Sequence, residues 1–94
     1  MSYAAVIEVD NSGEDPDEGR RGLREELAPA VKRFPGFESG LFMTAYERGR
    51  GIAVIVFERR DQAETTASGL AVGQKLRDGV AVTRTDVLEV SALV

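Results

Sequence analysis

The side chains able to do chemistry in this chain are few, and what is missing narrows the field first. There is no histidine, cysteine or tryptophan. The commonest general base, the commonest metal ligand, the usual haem ligand and every thiolate are therefore excluded. Three groupings remain. Phe42, Thr44 and Tyr46 alternate along one stretch, so in a strand they share a face. They could line a ligand pocket, with the phenol as hydrogen-bond donor or weak acid. Tyr46 is close to a chain reversal, however, which favours a hydroxyl in water. Arg84 and Asp86 also share a face. They could bind an anionic ligand or pair across a dimer, although a surface ion pair explains them too. Arg48, Arg50, Arg59 and Arg60 could catch a carboxylate or phosphate, but a solvated rim is the usual outcome for such a cluster. No phosphate loop, metal spacing or nucleophile elbow is present. The expectation is a protein with no bound cofactor and no metal.

The element that would position the first grouping is a hairpin from Phe37 to Phe57. Phe42, Thr44 and Tyr46 oppose Leu41, Met43 and Ala45; after the turn Glu47-Arg48-Gly49-Arg50-Gly51, Ile52, Val54 and Val56 oppose Ala53, Ile55 and Phe57. An antiparallel sheet with one wet face shows a polar residue at every second position. Neither strand does so, and something must cover both faces.

Around the hairpin, Tyr3 to Val9 reads as a first strand. Asp10 to Glu14 is a polar loop explained by turn chemistry. Asp15-Pro16-Asp17-Glu18 has the cap, first-turn proline and acidic residues of a helix start. Leu23, Leu27, Ala30, Val31 and Phe34 follow at helical spacing. Pro29 predicts a kink near Glu25–Ala28. A second helix is predicted from Asp61-Gln62-Ala63-Glu64 to about Leu76 or Arg77, weakened by Gly69 and Gly73. Asp78-Gly79 is a turn. The last strand is predicted mainly over Asp86 to Ala92, with a bend or bulge at Thr83–Asp86.

The resulting order is β-α-β-β-α-β. This predicts an α+β, ferredoxin-like single domain over residues 1–94, a four-stranded antiparallel sheet with two helices on one face. The other face would expose a large apolar patch in a monomer. A homodimer through that open sheet face follows as the expected assembly. A balance of −4 with a pI near 4.8 argues against nucleic acid and anionic membrane as partners. The first residues lack a basic region and a long apolar run, so a cytoplasmic location is expected.

In this order the chain resembles the dimeric α/β-barrel superfamily, especially its antibiotic-biosynthesis-monooxygenase-like members. The resemblance covers nearly the whole chain. It is carried by Arg33-Phe34-Pro35-Gly36-Phe37, then Glu38 to Tyr46, then a hairpin into Ile52 to Phe57. It implies a dimeric barrel and, as enzymatic expectation, a cofactor-independent monooxygenase acting on an apolar or aromatic metabolite. The family's haem-degrading members rely on a histidine and a tryptophan, and this chain has neither. No catalytic residue is assigned. The alternative is a non-enzymatic small-molecule-binding or regulatory ferredoxin-like module, with the loop Asp10 to Asp15 closing over the ligand. Nucleic-acid binding on the open sheet would need exposed aromatics among basic residues, and the strands are mainly aliphatic.

Overall fold

A computed structural model describes all residues, 1–94. Five strands form one antiparallel sheet: β1 (Tyr3–Asp10), β2 (Phe37–Ala45), β3 (Arg50–Phe57), β4 (Lys75–Arg77) and β5 (Val80–Glu89). Their spatial order is β2-β3-β1-β5-β4. The four longer strands match the order of a ferredoxin-like sheet. The fifth strand corrects the four-strand expectation, and its origin is local. The second helix, α3 (Arg60–Ser68), stops at Gly69 instead of continuing to Leu76. Beyond Leu70 the segment holds little apolar surface at helical spacing, and its glycines each disfavour helix by about 1 kcal/mol. Lys75 and Arg77 instead pair with Ala81 and Val80. The Asp78-Gly79 reversal places Gly79 at φ +80°, and its Cα carries no Cβ because one would sit 2.4 Å from the Gly13 carbonyl. Two backbones thus meet where only glycine fits, tying the β4–β5 turn to the loop after β1.

The first helical run has three parts: α1 (Pro16–Gly22), a π-helical turn at Leu23–Leu27, and α2 (Ala28–Val31). Asp15 caps it, with Oδ2 accepting from the Glu18 N–H at 3.1 Å. Pro29 lacks the N–H that would bond Glu25, and the extra residue in the π turn absorbs the mismatch. The Ala28 N–H reaches back to Leu23 O. The expected irregularity is therefore present, as a bulge directly before the proline. In α3 the cap lies two residues before the expected one: Gln62 Oε1 accepts from the Arg59 N–H at 3.0 Å.

Two register shifts set which side chains face the helices. One falls between Phe37 and Ser39 and leaves Phe37 and Phe42 both toward the core. The other skips Thr83, so Val82 pairs with Val9 while Arg84 pairs with Glu8. A bulge of this kind shifts the alternation by one residue. Val80 and Val82 therefore point to the helices, and Arg84, Asp86 and Leu88 point away. The core is small: Ala5, Ile7, Val31, Ile55, Phe57, Ala63 and Ala67. Its apolar contacts come from α2 and α3 on one face of β1 and β3. Ala63 and Ala67 let α3 lie close to the sheet. The other face carries Val6, Ile52, Val54 and Val56, flanked by Leu41 (61% exposed), Met43 and Leu88. Val6 at its centre is buried, while Leu41, Met43 and Leu88 toward its margins are exposed.

Candidate functional site

α3 packs tightly, but the first helical run does not. Of its predicted apolar stripe only Val31 is buried; Leu27 remains 39% exposed and Phe34 38%. The space between this run and the sheet is a cavity of about 800 Å³. Drug-sized ligands occupy pockets of about 300–1,000 Å³. The walls are apolar and come from every layer. β1 gives Ile7 and Val9, β2 gives Phe42, β3 gives Ala53 and Ile55, and the first helical run gives Leu23, Leu27 and Val31. Leu70 and Leu76 close the side toward β4.

One end of the cavity is polar. The loop after β1 supplies Asn11 and Glu14, β2 supplies Thr44, and β4 supplies Arg77. The loop is held by its own bonds. The Asn11 N–H donates to Gly49 O at 3.0 Å, the Glu14 N–H to Asn11 O at 3.0 Å, and the Ser12 hydroxyl to Asp10 Oδ1 at 2.6 Å. The Ser12 hydrogen bonds hold the Asp10 carboxyl below its ordinary range. Glu14 has a side chain only 9% exposed, and its Oε2 lies 2.6 Å from Arg77 Nε. The Nε–H is not aligned on that oxygen and has no acceptor, so the contact is one of opposite charges and not a hydrogen bond. Asn11 is 4% exposed, and its Oδ1 has no donor. Behind them the Tyr46 hydroxyl is shut off from solvent and also unpartnered. Three orphaned polar atoms in one corner are unusual, since buried polar groups are nearly always paired.

Tyr46 departs from the sequence expectation of a hydroxyl in water. It opens a 3-10 turn, Tyr46–Arg48, and folds back under α1. The Arg20 guanidinium stacks on its ring at 4.6 Å from the centroid. Gly19 permits the approach: a Cβ there would lie 3.1 Å from the Tyr46 hydroxyl and 2.5 Å from Glu14 Oε1.

The other cavity rim lies at the start of α3, where Arg59 Nε donates to Asp61 Oδ1 at 2.9 Å. Each partner stabilises the other's charged form, raising the arginine and lowering the carboxyl. Arg59, Asp61, Glu14 and Arg77 are the charged residues of the lining, and they form two opposite-charge pairs.

Of the residues singled out in the sequence, Phe42 and Thr44 lie together in the cavity wall, and Tyr46 stands just outside its polar corner. Arg84 and Asp86 belong to the opposite face of the sheet. There Glu8 joins Arg50 and Arg84, each at 2.8 Å, and Arg84 also holds Asp86 at 3.0 Å. Hydrogen bonds from Arg50 and Arg84 hold the Glu8 carboxyl below its ordinary range. The Thr83 bulge is what separates this cluster from the cavity. Asn11, Glu14 and Arg77 were not among the sequence candidates. Their only signal was an Asn and a Glu in a loop that ordinary turn chemistry explains, and an arginine placed in an expected helix. No group of three or more carboxylates that could hold a metal ion is present, and no helix is long and apolar enough to cross a membrane. Comparison of the chain with protein-family models, with curated proteins and with solved structures gives no match.

Proposed function

We propose that the chain is a small-molecule-binding domain whose cavity takes an apolar or aromatic metabolite, and that it works as a homodimer joined through the open sheet face. The single observation that carries the ligand reading is the standing-off of the first helical run. Leu27 and Phe34 keep more than a third of their surface in contact with the cavity and solvent. Closing the helix on the sheet would bury that surface at a gain of about 25 cal/mol per Å². One end of the helix is fixed in place: Tyr46 stacks under Arg20, and the loop that leads into α1 is tied to the β4–β5 hairpin by Glu14 against Arg77 and Gly13 against Gly79. A cavity propped open at such a cost is the arrangement expected of a binding site.

The dimer reading rests on the uncovered apolar face and on its charges. Arg50, Glu8, Arg84 and Asp86 alternate in sign across it. Such a row is complementary to a second copy of itself under a two-fold axis.

A second reading adds catalysis: monooxygenase-like oxidation of the same metabolite by dioxygen without a bound cofactor. It is favoured by the placement of the Glu14 carboxylate in the wall of a largely apolar pocket, where it could take the proton from a hydroxyl of an electron-rich ring. The Glu14–Arg77 contact weighs against a free base and places binding first.

Thermal-shift and calorimetric titration with neutral aromatic compounds, on the natural chain and on Ala53→Phe, test the binding reading. Saturable binding weakened by the substitution is expected. Absence of binding by every apolar and aromatic compound would refute it. Oxygen consumption in the presence of a bound compound separates catalysis from binding alone. Light scattering tests the assembly, with twice 10.2 kDa expected and a monomer at all concentrations refuting it.

A further inference from the structure

We infer that the cavity selects a neutral ligand: an apolar body carrying one uncharged head group with both a hydrogen-bond donor and an acceptor, seated at the Asn11–Arg77 corner. The inference rests on the reading of the cavity as a small-molecule site and names the chemistry it recognises.

The charge argument comes first. The lining holds two cations, Arg59 and Arg77, and two anions, Asp61 and Glu14. Each cation already lies against an anion, at 2.9 Å and 2.6 Å. A carboxylate or phosphate entering the cavity would therefore meet no uncompensated positive charge. An ammonium would meet no uncompensated negative one. Either would lose its hydration to apolar walls without an ionic partner, which is prohibitive for an isolated charge.

The hydrogen-bond argument sets the head group. At the polar corner the unpartnered atoms are an acceptor, Asn11 Oδ1, and a donor, Arg77 Nε; the Tyr46 hydroxyl, which serves as either, is unpartnered just outside it. Asn11 and Arg77 themselves form part of the wall. Small rotations of these side chains would turn their free atoms toward an arriving group. A group with only acceptors satisfies Arg77 and leaves Asn11 Oδ1 orphaned. A group with an N–H or O–H beside an acceptor oxygen satisfies both, as an amide or an alcohol does. A site with buried polar groups strongly rejects analogues that leave them unpaired.

The test is calorimetric binding of a matched series to the full chain: decanamide, decanol, decanoate, decylamine and decane-like hydrocarbon. The amide and alcohol are expected to bind at least about tenfold tighter than the carboxylate and amine. Asn11→Leu should remove the advantage of the amide over the hydrocarbon while hydrocarbon binding persists. Glu14→Gln strips Arg77 of its compensating charge and should raise carboxylate affinity relative to amide by about tenfold or more. Equal binding of all five, or tightest binding of the carboxylate or amine, would overturn the inference and leave the cavity reading intact. Failure of all five, hydrocarbon included, would sink the cavity reading and this inference with it.

Discussion

Replacing Asn11 by leucine should make the unliganded protein more stable, which is unusual for a buried polar residue. The side chain is 4% exposed and its Oδ1 has neither solvent nor a donor. An orphaned buried acceptor costs about 1–3 kcal/mol. Leucine keeps the branched shape of asparagine and leaves no polar atom unpaired; it is bulkier than the amide, and the cavity that residue 11 lines gives its methyls room. The backbone bonds of residue 11, to Gly49 O and from Glu14 N–H, do not depend on the side chain. No residue other than glycine has a positive φ, so leucine meets no left-handed backbone there. The net expectation is a gain of about 1–2 kcal/mol. For a domain of this size each kcal/mol moves Tm by roughly 4–8 °C. Calorimetric melting of the two proteins without ligand should therefore show Asn11→Leu melting at least about 4 °C higher. A fall in Tm of similar size would mean that Oδ1 is satisfied in the folded protein, and the polar corner would lose its standing as a recognition point.

Other substitutions test the packing. Phe57, 1% exposed at the centre of the core, should cost about 3–5 kcal/mol as Phe57→Ala, and denaturant unfolding would read this as a large drop in midpoint. Gly79→Ala places a Cβ 2.4 Å from the Gly13 carbonyl carbon at φ +80°. A loss above about 1 kcal/mol is expected, and an unchanged melt would mean that the loop and the β4–β5 turn are not locked together. Glu8 sets the acid limb. Its folded pKa is depressed, so its contribution is complete above the ordinary carboxylate pKa, about 4.3, and is lost as pH falls through the lower folded value. Glu8→Gln should remove the part of the stability decline below about pH 4 that belongs to this residue, and parallel curves for the two proteins would contradict the pairing with Arg50 and Arg84. Leu41→Glu, on the exposed apolar face at 61% exposure, should leave the melt of the monomer nearly unchanged and prevent the proposed dimer in light scattering, and a variant that still dimerises would assign the interface elsewhere.

Much of the fold was legible because it rests on short-range signals. The alternation in Phe37–Phe57, the Asp15-Pro16 cap and the Asp78-Gly79 turn each act over a few residues, and each appears where expected. Pro29 announced an irregularity in the first helix, and the π turn stands directly before it. The fifth strand was missed because Gln62 to Arg77 is weakly patterned, and pairing with Val80 and Ala81 decides Lys75–Arg77. The site was less legible for the same reason. Phe42 and Thr44 follow from strand parity. Arg84 and Asp86 share that parity with Val80 and Val82 in the sequence, and one skipped residue at Thr83 puts them on opposite faces. Asn11 and Glu14 come from the loop after β1, Tyr46 from the 3-10 turn and Arg77 from β4, and only the close approach of Gly13 to Gly79 and of Gly19 to Tyr46 brings these three elements together.

The central claim is that an apolar small molecule binds between the first helical run and the sheet. A methyl-resolved NMR titration with decanamide tests it directly, because both faces of the sheet are apolar and only one holds the cavity. The account predicts shifts concentrated at Leu23, Leu27, Val31 and Ile55, with Leu41, Val54 and Leu88 unmoved. Shifts confined to Leu41, Val54 and Leu88 would contradict it and assign the ligand to the open face.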